Sequence, residues 1–249
     1  MKRIAVLRVW MSFVAATAFL AGPAFGAQTE QMGNPAQRPS GEQKAQDFSV
    51  WLVPAHDKQN YLPLQRCIED LARRSGIRET DIFVPHVTIY WGKSSDPSLA
   101  AVAKRTRKIA LENGPVTLTV AGLGVTRDRF KSLFLTFAKE PRLYKWSEQI
   151  GGADKVERTD YTLMPHLSLF YPKQGTEMPF DGKIVLLNYV MREYAEPLKW
   201  FKENESPNRE FAGGFRIVFD RIQLRREDEE DVVSSWVLVN EYPLGGGAR

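Results

Sequence analysis

The chain has 249 residues, 43% of them hydrophobic and 26% charged, with a formal net charge of +4 and a sequence pI near 9.1. Without Lys2, Arg3 and Arg8, the 34 basic residues become 31 against 30 acidic ones, a near-neutral balance that argues against coating nucleic acid or a membrane surface and for a small anionic ligand. The single cysteine, Cys67, excludes an intramolecular disulfide.

Met1 to Gly26 combines those three basic residues with an apolar stretch from about Val9 to Ala21 and the small-x-small sequence Ala24-Phe25-Gly26. This is the pattern of a secretory signal peptide, which predicts an exported, periplasmic or secreted protein; a retained anchor is the competing reading, against which the apolar run is short. Residues 27–46 are rich in Gln, Pro, Gly, Ser and Ala and are expected to form a disordered tail, because they bury too little to repay their ordering. Residues 47–249 are then one domain, enough for a sizeable core.

Phe48 to Val53 is β-branched and aromatic and is closed by Pro54, which predicts a strand. Tyr61, Leu64, Ile68 and Leu71 recur at helical spacing up to the stop at Ser75-Gly76, and Cys67 falls among them as a small buried hydrophobe. His86 to Trp91 is a second strand. Asp96-Pro97 opens a helix that runs to about Glu112. Val116 to Val125 and Phe130 to Phe137 read as a hairpin closed by Thr126 to Arg129. A short helix follows over Pro141 to Ile150, then a strand at His166, a helix across Ile184 to Phe201, and a second hairpin from Phe215 to Arg225 and Val232 to Glu241. The acidic run 226–231 is its solvated turn. Each half thus runs motif strand, helix, hairpin, which points to an internal duplication.

Two of the three histidines lie in one repeated phrase, PHVTIY from Pro85 and PHLSLF from Pro165. Strand alternation puts His86, Thr88 and Tyr90 on one face and His166, Ser168 and Phe170 on one face, each imidazole about 7 Å from its hydroxyl. A lone strand histidine is usually structural, but two related by an approximate two-fold axis would converge on one cleft and clamp an oxyanion. Facing imidazoles suit in-line displacement at phosphorus, one as base and one as acid, with Thr88 and Ser168 donating to the non-bridging oxygens. Neither phrase has a carboxylate at metal-ligand spacing, so no metal and no cofactor is expected. His56, outside any repeat, reads as a loop residue.

With both His-x-Thr/Ser-x motifs in matching Pro-led strands, and with FSVWLVPA opening the domain, the chain resembles the 2H phosphoesterase superfamily, most closely cyclic phosphodiesterases of the plant and yeast type. The likeness covers about Phe48 to Pro172. It implies an α+β, bilobal, duplicated fold in which two antiparallel sheets flank a central cleft with helices outside. It also implies hydrolysis of a cyclic phosphodiester on a ribose, a nucleoside 2′,3′-cyclic phosphate or ADP-ribose 1″,2″-cyclic phosphate, to a monoester. His86 and His166 are the expected catalytic residues, and Thr88, Ser168 and Tyr171 the phosphate contacts. Strand parity puts Tyr171 on the far face, so its role requires a twist before Pro172. Tyr90, Trp91, Tyr161 and Phe170 are candidate base or ribose contacts. The expected partner is a small cyclic nucleotide, with no stable nucleic-acid complex and no membrane once the leader is removed. A 2′,5′-phosphodiesterase, an RNA-end ligase and a non-catalytic nucleotide- or phosphate-binding module are the competing readings. Specificity is expected to lie in the loops Lys93 to Pro97 and Lys173 to Asp181.

Overall fold

The computed structural model describes residues 46–57, 61–77, 82–94, 96–152, 164–173, 178–195, 215–228 and 232–246. The leader, all of the tail but Gln46, Tyr161 and parts of both specificity loops therefore lie outside the described residues. The elements are β1 (Gln46–Pro54), α1 (Tyr61–Arg74), β2 (Val87–Ser94), α2 (Asp96–Glu112), β3 (Val116–Val125), β4 (Leu133–Phe137), α3 (Pro141–Gly151), β5 (His166–Phe170), α4 (Phe180–Val190), β6 (Arg216–Glu227) and β7 (Trp236–Pro243). A π-helical turn, Met191–Ala195, continues α4, and a 3-10 turn, Val233–Ser235, precedes β7. No helix among the described residues is long and apolar enough to cross a membrane.

The local signals explain most of these boundaries. Leu64, Cys67, Ile68 and Leu71 form the buried stripe of α1, and Gly76 takes the left-handed φ of 66° just beyond its end. In α3, Pro141 occupies the first turn while the Glu140 carboxylate accepts a hydrogen bond from the Arg142 amide at 3.2 Å. The sequence reading starts the fourth strand at Phe130, yet β4 begins at Leu133. Residues 126–132 instead bond to themselves, which competes with the ladder. The Asp128 carboxylate accepts from the Phe130 amide, Ser132 Oγ donates to the Asp128 and Arg129 carbonyls, and Thr126 Oγ1 donates to the Lys131 carbonyl. Buried Lys183 of α4 pins the same loop, its Nζ donating to the Thr126 and Arg127 carbonyls at 2.8 and 3.1 Å.

All strand pairings are antiparallel, in the order β1-β2-β5-β4-β3-β6-β7 with a further β1–β6 pairing. The sheet therefore closes on itself. One arm holds β2, β1, β6 and β7, and the other holds β5, β4 and β3. The arms meet at the pair Val87↔Leu167 and along β6, whose first residues pair with β3 and whose remainder pairs with β1 and β7. α1 packs over β5 and α3 over β2, so each helix covers the other half's motif strand.

The duplication has a different phase from the one expected. Its unit is β-α-β-α-β, with β1-α1-β2-α2-β3 matched by β4-α3-β5-α4-β6, and β7 is left over as an edge strand. Mapping β1 to β4, β2 to β5 and β3 to β6 reproduces the strand order of the ring. The first strand and helix, outside the motif strand, helix and hairpin read from the sequence, belong to the repeat because β1 lies beside β2 as β4 lies beside β5.

Candidate active site

Each motif strand carries a β-bulge one residue after its hydroxyl. Val50 pairs with Tyr90 but Trp51 with Thr88, leaving Ile89 as the extra residue; Leu133 pairs with Phe170 but Phe134 with Ser168, leaving Leu169. A bulge shifts the facing of every side chain beyond it. Tyr90 and Phe170, expected beside the ligand, instead lie in the core at 3% and 2% exposure. Trp91 and Tyr171 turn into the cleft. The second bulge is the twist that Tyr171 needed.

The cleft is a cavity of about 260 Å³ between the two arms, with both motif histidines in its wall. Thr88, Trp91 and Tyr171 line it as well. Ser168 does not: its hydroxyl donates to the Phe130 carbonyl at 2.7 Å, so the expected phosphate contact is a group that holds the 126–132 loop. The remaining wall comes from Asp47, Ser49 and Trp51 of β1, from Asp128, Phe130 and Lys131 of the loop, and from Glu227 and Trp236. None of these was singled out in the sequence. The three β1 residues had a legible signal, since they alternate with the core residues Phe48, Val50 and Leu52. The loop residues had none, because 126–132 takes its course from contacts with α4 and β5.

The two histidines are held alike. His86 Nδ1 lies 2.8 Å from the Val84 carbonyl and His166 Nδ1 lies 2.8 Å from the Met164 carbonyl. A carbonyl only accepts, so Nδ1 carries the proton in each ring. Aromatic rings at equivalent repeat positions pack on them. Trp51 stacks on His86 with centroids 3.6 Å apart and 9° between planes, and Phe134 meets His166 edge-on at 5.4 Å.

Their electrostatic surroundings differ. Burial pushes the His86 imidazole down to about 3; Arg225 and His166 act in the same direction and the Val84 carbonyl opposes them. Burial also lowers His166, with Lys131 adding to the effect, but the Met164 and Phe130 carbonyls and the Asp128 carboxylate all favour its charged form. Arg225 lies 4.6 Å from the Trp51 ring, donates to Gln223 Oε1 through Nε and Nη2, and donates to the Trp236 carbonyl through Nη1. The strand order β2-β1-β6 places Trp51 between His86 and this guanidinium.

Cys67 is fully buried in the core, and burial pushes its thiol up, which leaves it no nucleophilic role. His56 is exposed, with its ring against Tyr61. Among the described residues no group of three or more His, Cys, Asp or Glu is arranged to hold a metal ion.

Residues 52–132 match the model of the LigT like phosphoesterase family. Solved structures with a similar chain path include Escherichia coli LigT complexed with 3′-AMP, at 12% identity over 81% of this chain and 99% of that chain, with a TM-score of 0.47. The same protein complexed with NADP+ gives 14% identity, 81% and 99% coverage and a TM-score of 0.45. Kluyveromyces marxianus Usb1 gives 15% identity, 80% and 98% coverage and a TM-score of 0.42. No curated protein matches by sequence. The family match bears out the resemblance to the 2H phosphoesterases. It supports an enzyme that acts on phosphodiesters.

Proposed function

We propose that the protein hydrolyses a cyclic phosphodiester on a ribose, a nucleoside 2′,3′-cyclic phosphate in the first instance, to a phosphomonoester. The observation that carries this reading is the pair of imidazoles in one cleft, each with Nδ1 tied to a backbone carbonyl.

The different surroundings of the two rings support a division of labour. His86, stacked on Trp51 and near Arg225, is neutral at ordinary pH and serves as the base: its Nε2 takes a proton from water as the water oxygen bonds to phosphorus. Burial lowers His166 as well, but two backbone carbonyls and Asp128 oppose that effect, so a bound phosphate anion beside them would favour the imidazolium there. His166 gives its Nε2 proton to the ribose oxygen as the phosphorus–oxygen bond breaks. Thr88 donates to a non-bridging oxygen, where negative charge is held in the transition state. Ser168 acts through the Phe130 carbonyl and keeps the loop against His166.

The test is turnover of 2′,3′-cyclic nucleotides by wild type, His86→Ala and His166→Ala, with a chelator present and a linear 2′,5′-linked dinucleotide alongside. Each substitution is expected to cost on the order of 10²- to 10⁴-fold in kcat. Activity within a few-fold of wild type in either variant sinks the proposal. Turnover confined to the linear substrate would move it to a 2′,5′-phosphodiesterase.

A further inference from the structure

The cleft wall away from the histidines has a composition that phosphate chemistry does not explain. Asp47 of β1 and Glu227 of β6 are direct cross-strand partners, and both line the cavity. Like charges directly opposite each other destabilise a sheet. Lys93, the β2 partner of Asp47, approaches its carboxylate to 3.8 Å. Between this row and Trp51 lies Ser49, which is 2% exposed and faces the cavity. Among the described residues its Oγ has no hydrogen-bond partner. Neither has the buried indole N–H of Trp236, the β7 partner of Glu227. A buried hydroxyl left unpaired is destabilising, a penalty that a ligand bonding to it would remove.

The spacing suits the rest of a nucleotide. A strand advances about 7 Å in two residues. With phosphate at the row of Thr88 and Trp51, Ser49 is one such step away and the Asp47–Glu227 row is two. A nucleoside extending along this wall from that phosphate would meet both rows. The wall offers carboxylate acceptors, the Trp236 N–H donor and a hydroxyl that can do either, and Trp91 lines the same cavity as an aromatic for stacking.

Resting on the phosphodiesterase reading above, we infer that Asp47, Ser49, Glu227 and Trp236 form a nucleobase subsite that selects guanine. Guanine presents two adjacent N–H donors, on N1 and N2, to a carboxylate, and its O6 and N7 accept from the indole and the hydroxyl. Uracil has one N–H between two carbonyl oxygens, which the carboxylates repel.

The experiment measures kcat/KM for guanosine and uridine 2′,3′-cyclic phosphates with wild type, Ser49→Ala, Asp47→Asn and Glu227→Gln. It is paired with calorimetric titration of each protein with guanosine 3′-monophosphate, uridine 3′-monophosphate and inorganic phosphate. Wild type is expected to favour guanosine about tenfold or more in both measurements. The carboxamide variants should bring the ratio to within about threefold, and Ser49→Ala should lower it in part, with circular dichroism verifying the fold. Turnover or binding without base preference in wild type, or a ratio unchanged in both carboxamide variants, overturns the subsite and leaves the phosphodiesterase reading standing. Base-selective binding that the variants abolish, with no cyclic nucleotide turned over, keeps the subsite and overturns the reading.

Discussion

His86 carries the largest electrostatic consequence at the level of single residues. Its ring is 3% exposed and stacked on Trp51, so the imidazolium would lose most of its hydration, and its pKa falls to about 3 from an unfolded value near 6.5. Between those values the unfolded chain binds a proton that the folded chain does not. Stability contributed by neutral His86 is therefore complete above pH 6.5 and is lost as pH falls through that window, by up to about 1.4 kcal/mol per pH unit. His166, lowered in the same direction, adds to the slope. Urea denaturation of wild type and His86→Gln from pH 4 to 7 checks this. The variant is expected to show a slope shallower by up to one proton's worth, and equal slopes would count against a buried neutral His86.

The paired bulges are the decisive device among the elements. A regular β2 would place Tyr90 in the cleft and Trp91 in the core; the extra residue at Ile89 exchanges them, and Leu169 does the same for Phe170 and Tyr171. Close packing behind β4 supports the second copy. A Cβ built on Gly124 would lie 2.6 Å from Phe134 Cζ, and the Phe134 ring packs on His166. Gly124→Ala must therefore displace a ring that packs on the His166 imidazole. The expected result is a loss of about 1–3 kcal/mol in chemical denaturation and a fall in kcat, while an unchanged kcat would show that Phe134 does not position His166.

For the whole molecule, the closed strand ring joins the two arms that form the cleft. Among the described residues β2 and β5 share the single pair Val87↔Leu167, and both side chains are fully buried. The other join is continuous, because β6 pairs with β1, β3 and β7 along its length. Among the described residues the buried core is one cluster drawn from both arms, so the two should unfold together in one cooperative transition. Leu167→Ala is expected to cost about 2–5 kcal/mol while keeping a single transition in urea, followed by both fluorescence and circular dichroism. Separate transitions by the two probes would mean that the arms fold independently.

The order of strands and helices was legible from periodicity and stop residues, and so was the pairing of His86 with His166, because a repeated Pro-His-aliphatic-hydroxyl phrase is a local pattern that needs no partner to be seen. α2 and β3 have the bounds that their flanking residues predict. The facing of Tyr90, Trp91, Phe170 and Tyr171 was not legible, since a bulge depends on the register between two strands and leaves no mark on the motif itself. Nor was the commitment of Ser168 to the Phe130 carbonyl, 38 residues away. Trp51, Asp47 and Glu227 join the site because β1 lies between β2 and β6, a neighbourhood that the closure of the sheet decides. Local sequence pattern is enough to reveal the two imidazole–hydroxyl pairs and their repetition. Tertiary structure decided which groups face them, because burial, register and closure are properties of the packed sheet.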